Sequence, residues 1–165
     1  MVSDRTPAGQ AATTLILSTF RANGLLLGAG DLIGAEHGLT SARWQVLGAI
    51  ALAERPLTVP QIARRMGLTR QSVHTTVKRL VRDRLLELAP NADHRRSPLV
   101  GLTDLGRDTY DVIDGRQATW VNRLARGIGR SDLEAAQQVL DELSRRLEAE
   151  GSRAEPARRG SREGR

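Results

Sequence analysis

The chain has 165 residues, enough for one domain with its own core and thin for two. It has no Cys and three His without a shared spacing, which excludes disulfides, thiolate zinc sites and iron–sulfur clusters, so no cofactor or metal is expected. Its basic residues are one Lys and 24 Arg against 19 acids, a formal charge of +6, and with 2% aromatics the core must be aliphatic. No apolar run approaches the ~20 residues of a membrane span. The first ten residues lack a basic stretch followed by an apolar one, so a soluble cytoplasmic protein without a membrane partner is expected.

Residues 1–9 are short, polar and interrupted by Pro7 and Gly9, and are expected to be disordered. From Gln10 to about Ala35, Leu15, Ile16, Phe20, Leu26, Leu27 and Ile33 recur at helical intervals. Gly24, Gly28, Gly30 and Gly34 weaken that helix, or mark a bend, or let another helix approach closely. Gly38-Leu39-Thr40 reads as a stop followed by an N-cap. Trp44, Leu47, Ile50 and Ala51 then predict a helix over 41–53, broken at Arg55-Pro56. Thr58 caps a short helix at 59–66 with Pro60 in its first turn, and Gly67 ends it. The next helix starts at Thr69 or Arg70 and runs to about Arg84.

Residues 85–88 and 99–102 are short apolar runs around the polar loop Pro90 to Ser97, and read as a β-hairpin with Pro98 at a strand start or edge. Thr103 or Asp104 caps a long helix with Leu105, Val112, Ile113, Val121, Leu124 and Ile128 inward, ended by Gly127 and Gly129. Ser131 and Glu134 fit a capping box. The last helix carries Leu133, Ala136, Leu140, Leu143 and Leu147 in steps of 3 and 4, a narrow seam that wants a partner helix. Residues 151–165 are rich in Gly, Ser and Arg and are expected to be a disordered basic tail.

Charge is concentrated. Between Arg55 and Arg96 there are ten basic residues and three acids, whereas residues 1–54 and 97–150 together carry a net −4. Such a cluster favours a polyanion, the alternative being a solvated face in an Arg-rich chain. Residues 58–80 read as two short helices across a tight turn. Ile62, Ala63 and Met66 face inward from the first and Val73, Thr76 or Val77, and Leu80 from the second; small Ala63 permits a close crossing, and Gly67 lies where the chain reverses.

This is a helix-turn-helix pattern, and the outward face of its second helix holds no acid. Gln71, Ser72, His74 and Thr75 at its start suit base edges, while Lys78, Arg79 and Arg82 suit phosphates; Arg70 precedes them. A helix-turn-helix followed by a hairpin with a basic tip is a winged helix. Arg95 suits a minor groove, Asp93 is placed to hold its guanidinium or simply to form the turn, and His94 and Arg96 suit phosphates.

From Gly38 to Gly106 the chain resembles the multiple-antibiotic-resistance regulator (MarR) family of bacterial transcription factors. The resemblance rests on Gly38-Leu39-Thr40, Trp44-x-x-Leu47, Ile62-Ala63, Gly67-Leu68, Ser72-Val73, Arg79-Leu80, Asp93-x-Arg95-Arg96 and Leu102-Thr103-x-x-Gly106. It departs from the family pattern at Arg84, where Gly is usual before the wing, and at Leu88, where a basic residue is common.

The resemblance implies a mainly α fold with a small β-wing. A winged helix-turn-helix lobe at 37–102 would be flanked by a dimerisation helix at 10–36 and by a long helix plus dimerisation helix at 103–150. It implies that Arg95 is the wing arginine with Asp93 its partner, and that Ser72, His74 and Thr75 lie on the recognition helix. It further implies a homodimer on palindromic double-stranded DNA, acting as a repressor. A small phenolic or anionic effector would bind between the dimerisation helices and the lobe, with Arg21, His37, Arg43, Trp44 and Arg116 as candidates to line its pocket. Two other readings compete: a non-specific architectural nucleic-acid binder using the basic tail, and a winged helix serving as a protein-interaction module. An enzyme is not expected. The chain has no Gly-rich phosphate loop and no HExxH or Cys nucleophile, and Ser72 and His74, two apart on a helix, do not face each other.

Overall fold

The computed structural model describes residues 4–160, with side chains up to residue 151. The chain forms two compact units, residues 1–121 and 122–165. The first unit opens with α1 (Pro7–Gly34). Residues 7–9, expected to be disordered, are its first turn: the Gly9 amide donates to Thr6 Oγ1 (3.0 Å), and the fixed φ of Pro7 suits the first helical position. Residues 1–3 lie outside the described residues.

Two of the glycines in α1 allow a close approach. A Cβ on Gly30 would collide with Ser41, and one on Gly34 with the Leu39 carbonyl, whereas Gly24 and Gly28 face open space. The chain turns through a 3₁₀ segment, Ala35–His37, and Gly38 at φ +63°. It then enters α2 (Ser41–Ala51). Thr40 occupies the expected N-cap position but makes no capping bond. The cap comes from the preceding helix instead, where Asp31 Oδ1 accepts the Ser41 amide (2.6 Å).

α2 is the centre of the lobe. Val46, Leu47, Ala49 and Ile50 are buried, joined in one core by Ile62, Ala63, Val73, Val77, Leu80, Leu86, Val100 and Ile113. Strand β1 (Leu57–Thr58) leads into α3 (Val59–Met66). Thr58 and Gln61 form a reciprocal capping box, and Gly67 at φ +63° closes the helix. α4 (Arg70–Arg82) starts at Thr69, whose Oγ1 accepts the Ser72 amide (3.2 Å). Strands β2 (Leu86–Ala89) and β3 (Leu99–Leu102) pair antiparallel, and β1 adds to the other edge of β3, giving the order β1-β3-β2. β1 was not predicted. Its two residues are too short for a period-2 signal, and its partner, Leu57 against Val100, is remote in sequence.

α5 (Asp104–Leu124) corrects the predicted inward face. Of the residues expected inward, Ile113 is buried and Val121 half-buried, whereas Leu105, Val112 and Leu124, and Ile128 beyond the helix, are exposed; Gly106 and Tyr110 complete the buried stripe with Ile113. Gly106 decides this. Its missing side chain lets α5 lie against the Leu85 carbonyl, which a Cβ there would overlap. Thr103 ties the same junction, its hydroxyl donating to the Arg84 carbonyl (2.7 Å) and accepting the Gly106 amide (2.9 Å).

In the second unit, Gly127 at φ +81° makes the turn into α6 (Arg130–Gly160). The predicted capping box of Ser131 and Glu134 does not form, because the helix begins two residues sooner. The Asp132 and Leu133 amides donate to the Gly129 carbonyl, and Glu134 pairs with Arg130 (2.6 Å). α6 also continues through most of the expected disordered tail. Extending a helix needs no new nucleation, and the Ala, Glu and Arg after Gly151 are good helix formers, which work against Pro156, an interior residue with no N–H to donate. Residues 161–165 lie outside the described residues. Along α6, Leu133, Leu140 and Leu147 are exposed and Leu143 is half-buried.

Candidate nucleic-acid interface

The surface that concerns function is built by α3, the turn at Gly67, α4 and the β2–β3 loop. α4 buries Val73, Val77 and Leu80 at intervals of 4 and 3 residues, which fixes its rotation about its own axis. Arg70, Gln71, Ser72, His74, Thr75, Lys78, Arg79 and Arg82 are consequently all exposed. The Thr75 hydroxyl donates to the Gln71 carbonyl (3.1 Å) and keeps its lone pairs for an outside donor. Among the described ion pairs the only one reaching these residues is a weak Arg82–Asp83 contact at 3.6 Å. The face therefore keeps its positive charge for an outside anion.

The wing loop carries Asp93, His94, Arg95 and Arg96, all exposed. The expected Asp93–Arg95 ion pair is not among those formed by the described residues. Asn91 organises the tip instead. Its Nδ2 donates to the Ser97 carbonyl (2.9 Å) and its Oδ1 accepts the Asp93 amide (3.1 Å), closing the loop from inside. The sequence reading missed Asn91, although an Asn directly after Pro90 is a turn signal of this kind. Between α4 and the wing runs a groove of about 420 Å³, lined by Arg70, His74, Lys78 and Arg96 over apolar walls such as Val77 and Leu88.

None of the described clefts is lined by all five residues considered for an effector. Arg43 donates to the Gly38 carbonyl (2.9 Å) and pairs with Asp83, tying the start of α2 to the end of α4. Arg116 pairs with Glu36 (2.6 Å), and Arg21 and His37 are exposed. Trp44 alone lines a second cleft, of about 410 Å³, with Gln45, Leu52, Arg65, Tyr110 and Asp114. In that cleft the Tyr110 hydroxyl donates to Asp114 Oδ1 (3.2 Å). Burial first, and then the charge and hydrogen bond of Asp114, raise the Tyr110 pKa above its ordinary value.

Three helices in the order α2-α3-α4, followed by a hairpin whose third strand comes from between α2 and α3, define a winged helix-turn-helix protein. The sequence model of the MarR family matches residues 37–97. An uncharacterized protein of Mycobacterium tuberculosis is 41% identical over 136 residues, which span 82% of this chain and 94% of that protein. The crystal structure of the transcriptional regulator BldR from Sulfolobus solfataricus matches with a TM-score of 0.74 at 18% identity, covering 86% of this chain and 99% of that one. CouR from Rhodococcus jostii RHA1, solved bound to p-coumaroyl-CoA, matches with a TM-score of 0.68 at 23% identity, covering 74% and 86% respectively. The chain belongs to the MarR family of transcription regulators.

Proposed function

We propose that the chain is a sequence-specific DNA-binding regulator that acts as a homodimeric repressor. The observation that carries this reading is the exposed face of α4, which has hydrogen-bonding side chains in its first half, cations in its second and no acid between Arg70 and Arg82. Gln71, Ser72, His74 and Thr75 then read base edges in the major groove. Arg70, Lys78, Arg79 and Arg82 hold phosphates. Arg95 enters the adjacent minor groove, with His94 and Arg96 on the backbone beside it and Asp93 shaping the turn.

The exposed apolar residues of α1 (Leu17, Phe20, Leu25, Leu32) and of α6 (Leu133, Leu140, Leu147) support dimerisation, since water-facing apolar rows of this size ask for a partner surface. A two-fold dimer would read half-sites about one helical turn apart. The Trp44–Tyr110 cleft is the place we assign to an effector, an aromatic acid or its thioester by analogy with the ligand of CouR. Of the earlier candidates only Trp44 stays in that assignment.

The test is a titration of duplex from the chain's own upstream region against a scrambled duplex, at several salt concentrations. Tighter binding to the native duplex supports the reading, and equal binding refutes it. If deleting residues 151–165 removes most of the affinity, the chain is a non-specific architectural binder instead. Absence of binding at every salt concentration leaves the protein-interaction reading.

A further inference from the structure

Lysine occurs once in this chain, against 24 arginines. That residue, Lys78, is exposed on α4, the helix assigned above to DNA. A guanidinium does not lose its proton in a protein and is a poor nucleophile, whereas a lysine amine is open to acylation. Arg70, His74 and Lys78 follow at four-residue intervals, so they share one helix face at steps of about 6 Å. Opposite them stands Arg96 of the wing loop, and all four line the groove between α4 and the wing. None of the ion pairs among the described residues involves Lys78, so no carboxylate described there competes for its amine. Two guanidiniums and an amine thus share one groove with an apolar wall of Val77, Leu88 and Pro98. A phosphate-bearing acyl donor in this groove would find the guanidiniums for its phosphate and the wall, beside the Lys78 amine, for its acyl group.

We propose that Lys78 is an acylation site for such a donor, and that its acylation switches the α4 face off. The Lys78 ammonium first gives one proton to water. The lone pair of the resulting amine attacks the donor's carbonyl carbon and an amide C–N bond forms. The C–O bond to phosphate in an acyl phosphate, or the C–S bond in a phosphate-bearing thioester, breaks, and the phosphate or thiolate leaves with the electron pair. A second proton passes from the nitrogen to water. One positive charge is lost from the face, and an acyl group is added one turn from His74. The switch rests on the DNA-binding reading; the acylation chemistry does not.

The full-length protein is incubated with acetyl phosphate and, separately, with acetyl-CoA, and the modified positions are read by peptide mass spectrometry. The rate at Lys78 is compared with that in a free peptide of residues 70–82 and in the Arg96→Gln protein. A several-fold faster rate in the folded chain, reduced by Arg96→Gln, is expected, and the faster donor identifies the source. Equal rates in all three overturn the site. Acetylated protein should bind all duplexes more weakly than the parent, with a salt slope smaller by about one per protomer, and Lys78→Gln should show the same loss. An unchanged slope after acetylation overturns the switch. A parent chain that binds no duplex refutes the DNA reading and the switch with it, and the labelling rates then decide the site by themselves.

Discussion

Arg84 sits at φ +59°, in the left-handed region, at the point where α4 gives way to the wing. A side chain in that region costs about 1–2 kcal/mol, while glycine occupies it freely. Nothing seen in Arg84 offsets the strain: its side chain is exposed and joins none of the described ion pairs. Its backbone bonds, N–H to the Val81 carbonyl (3.0 Å) and carbonyl from the Thr103 hydroxyl (2.7 Å), survive replacement by glycine. Against the relief stands glycine's larger freedom in the unfolded chain, about 0.4–1 kcal/mol. Arg84→Gly should therefore stabilise the protein by about 0.5–1 kcal/mol, and raise its Tm by roughly 1–4 °C in a chain of this length. The assay is urea unfolding followed by circular dichroism, with parent and variants at one fixed protein concentration. The midpoint should rise at constant m. Arg84→Ala is the control, because it removes the charge and keeps the Cβ. If Arg84→Gly is no more stable than Arg84→Ala, backbone strain is not what distinguishes this position.

Gly106→Ala should destabilise by about 1–3 kcal/mol in the same assay despite alanine's better helix propensity, because the added methyl displaces the Leu85 carbonyl at the root of the wing. Arg95→Ala should weaken binding to the native duplex by about 1–3 kcal/mol and relax preference at the minor-groove positions, read by fluorescence anisotropy on a duplex series; unchanged affinity refutes the wing assignment. The raised pKa of Tyr110 means that the folded state holds this proton more tightly than the unfolded state. Its stabilisation is complete below the ordinary tyrosine value near 10 and is lost as pH climbs through the folded value. Tyr110→Phe should flatten the fall in urea midpoint above pH ~10, and an equally steep fall would show that other groups cause it.

The helix-turn-helix was legible because its determinants are local. Thr58 with Gln61, Thr69 with Ser72, and Gly67 all act within a few residues, and the Val73-Val77-Leu80 stripe has helical period. What escaped depends on partners distant in the chain. Asp31 caps α2 from ten residues away, β1 exists only because β3 is there to pair with it, and the buried face of α5 is chosen by a glycine rather than by its leucines. At the candidate interface, the exposed polar face of α4 followed directly from the buried one. The Asp93–Arg95 pairing did not form, since a short loop offers a carboxylate and a guanidinium many rotamers, while the Asn91 amide is held by two backbone groups.

The junction of α1 and α2 is held at three points. Asp31 caps Ser41, the Trp44 indole donates to the Gly30 carbonyl (3.1 Å), and Gly34 rests against Leu39. While these contacts hold, a swing of α1 at this elbow carries the lobe with α4 along with it. In a pair of chains joined along α1, the span between the two α4 helices would then be a fixed length, like the gap of a caliper, changed only by tilting the whole arm. A duplex whose half-sites are shifted by a few base pairs would meet a rigid gauge rather than an adjustable grip.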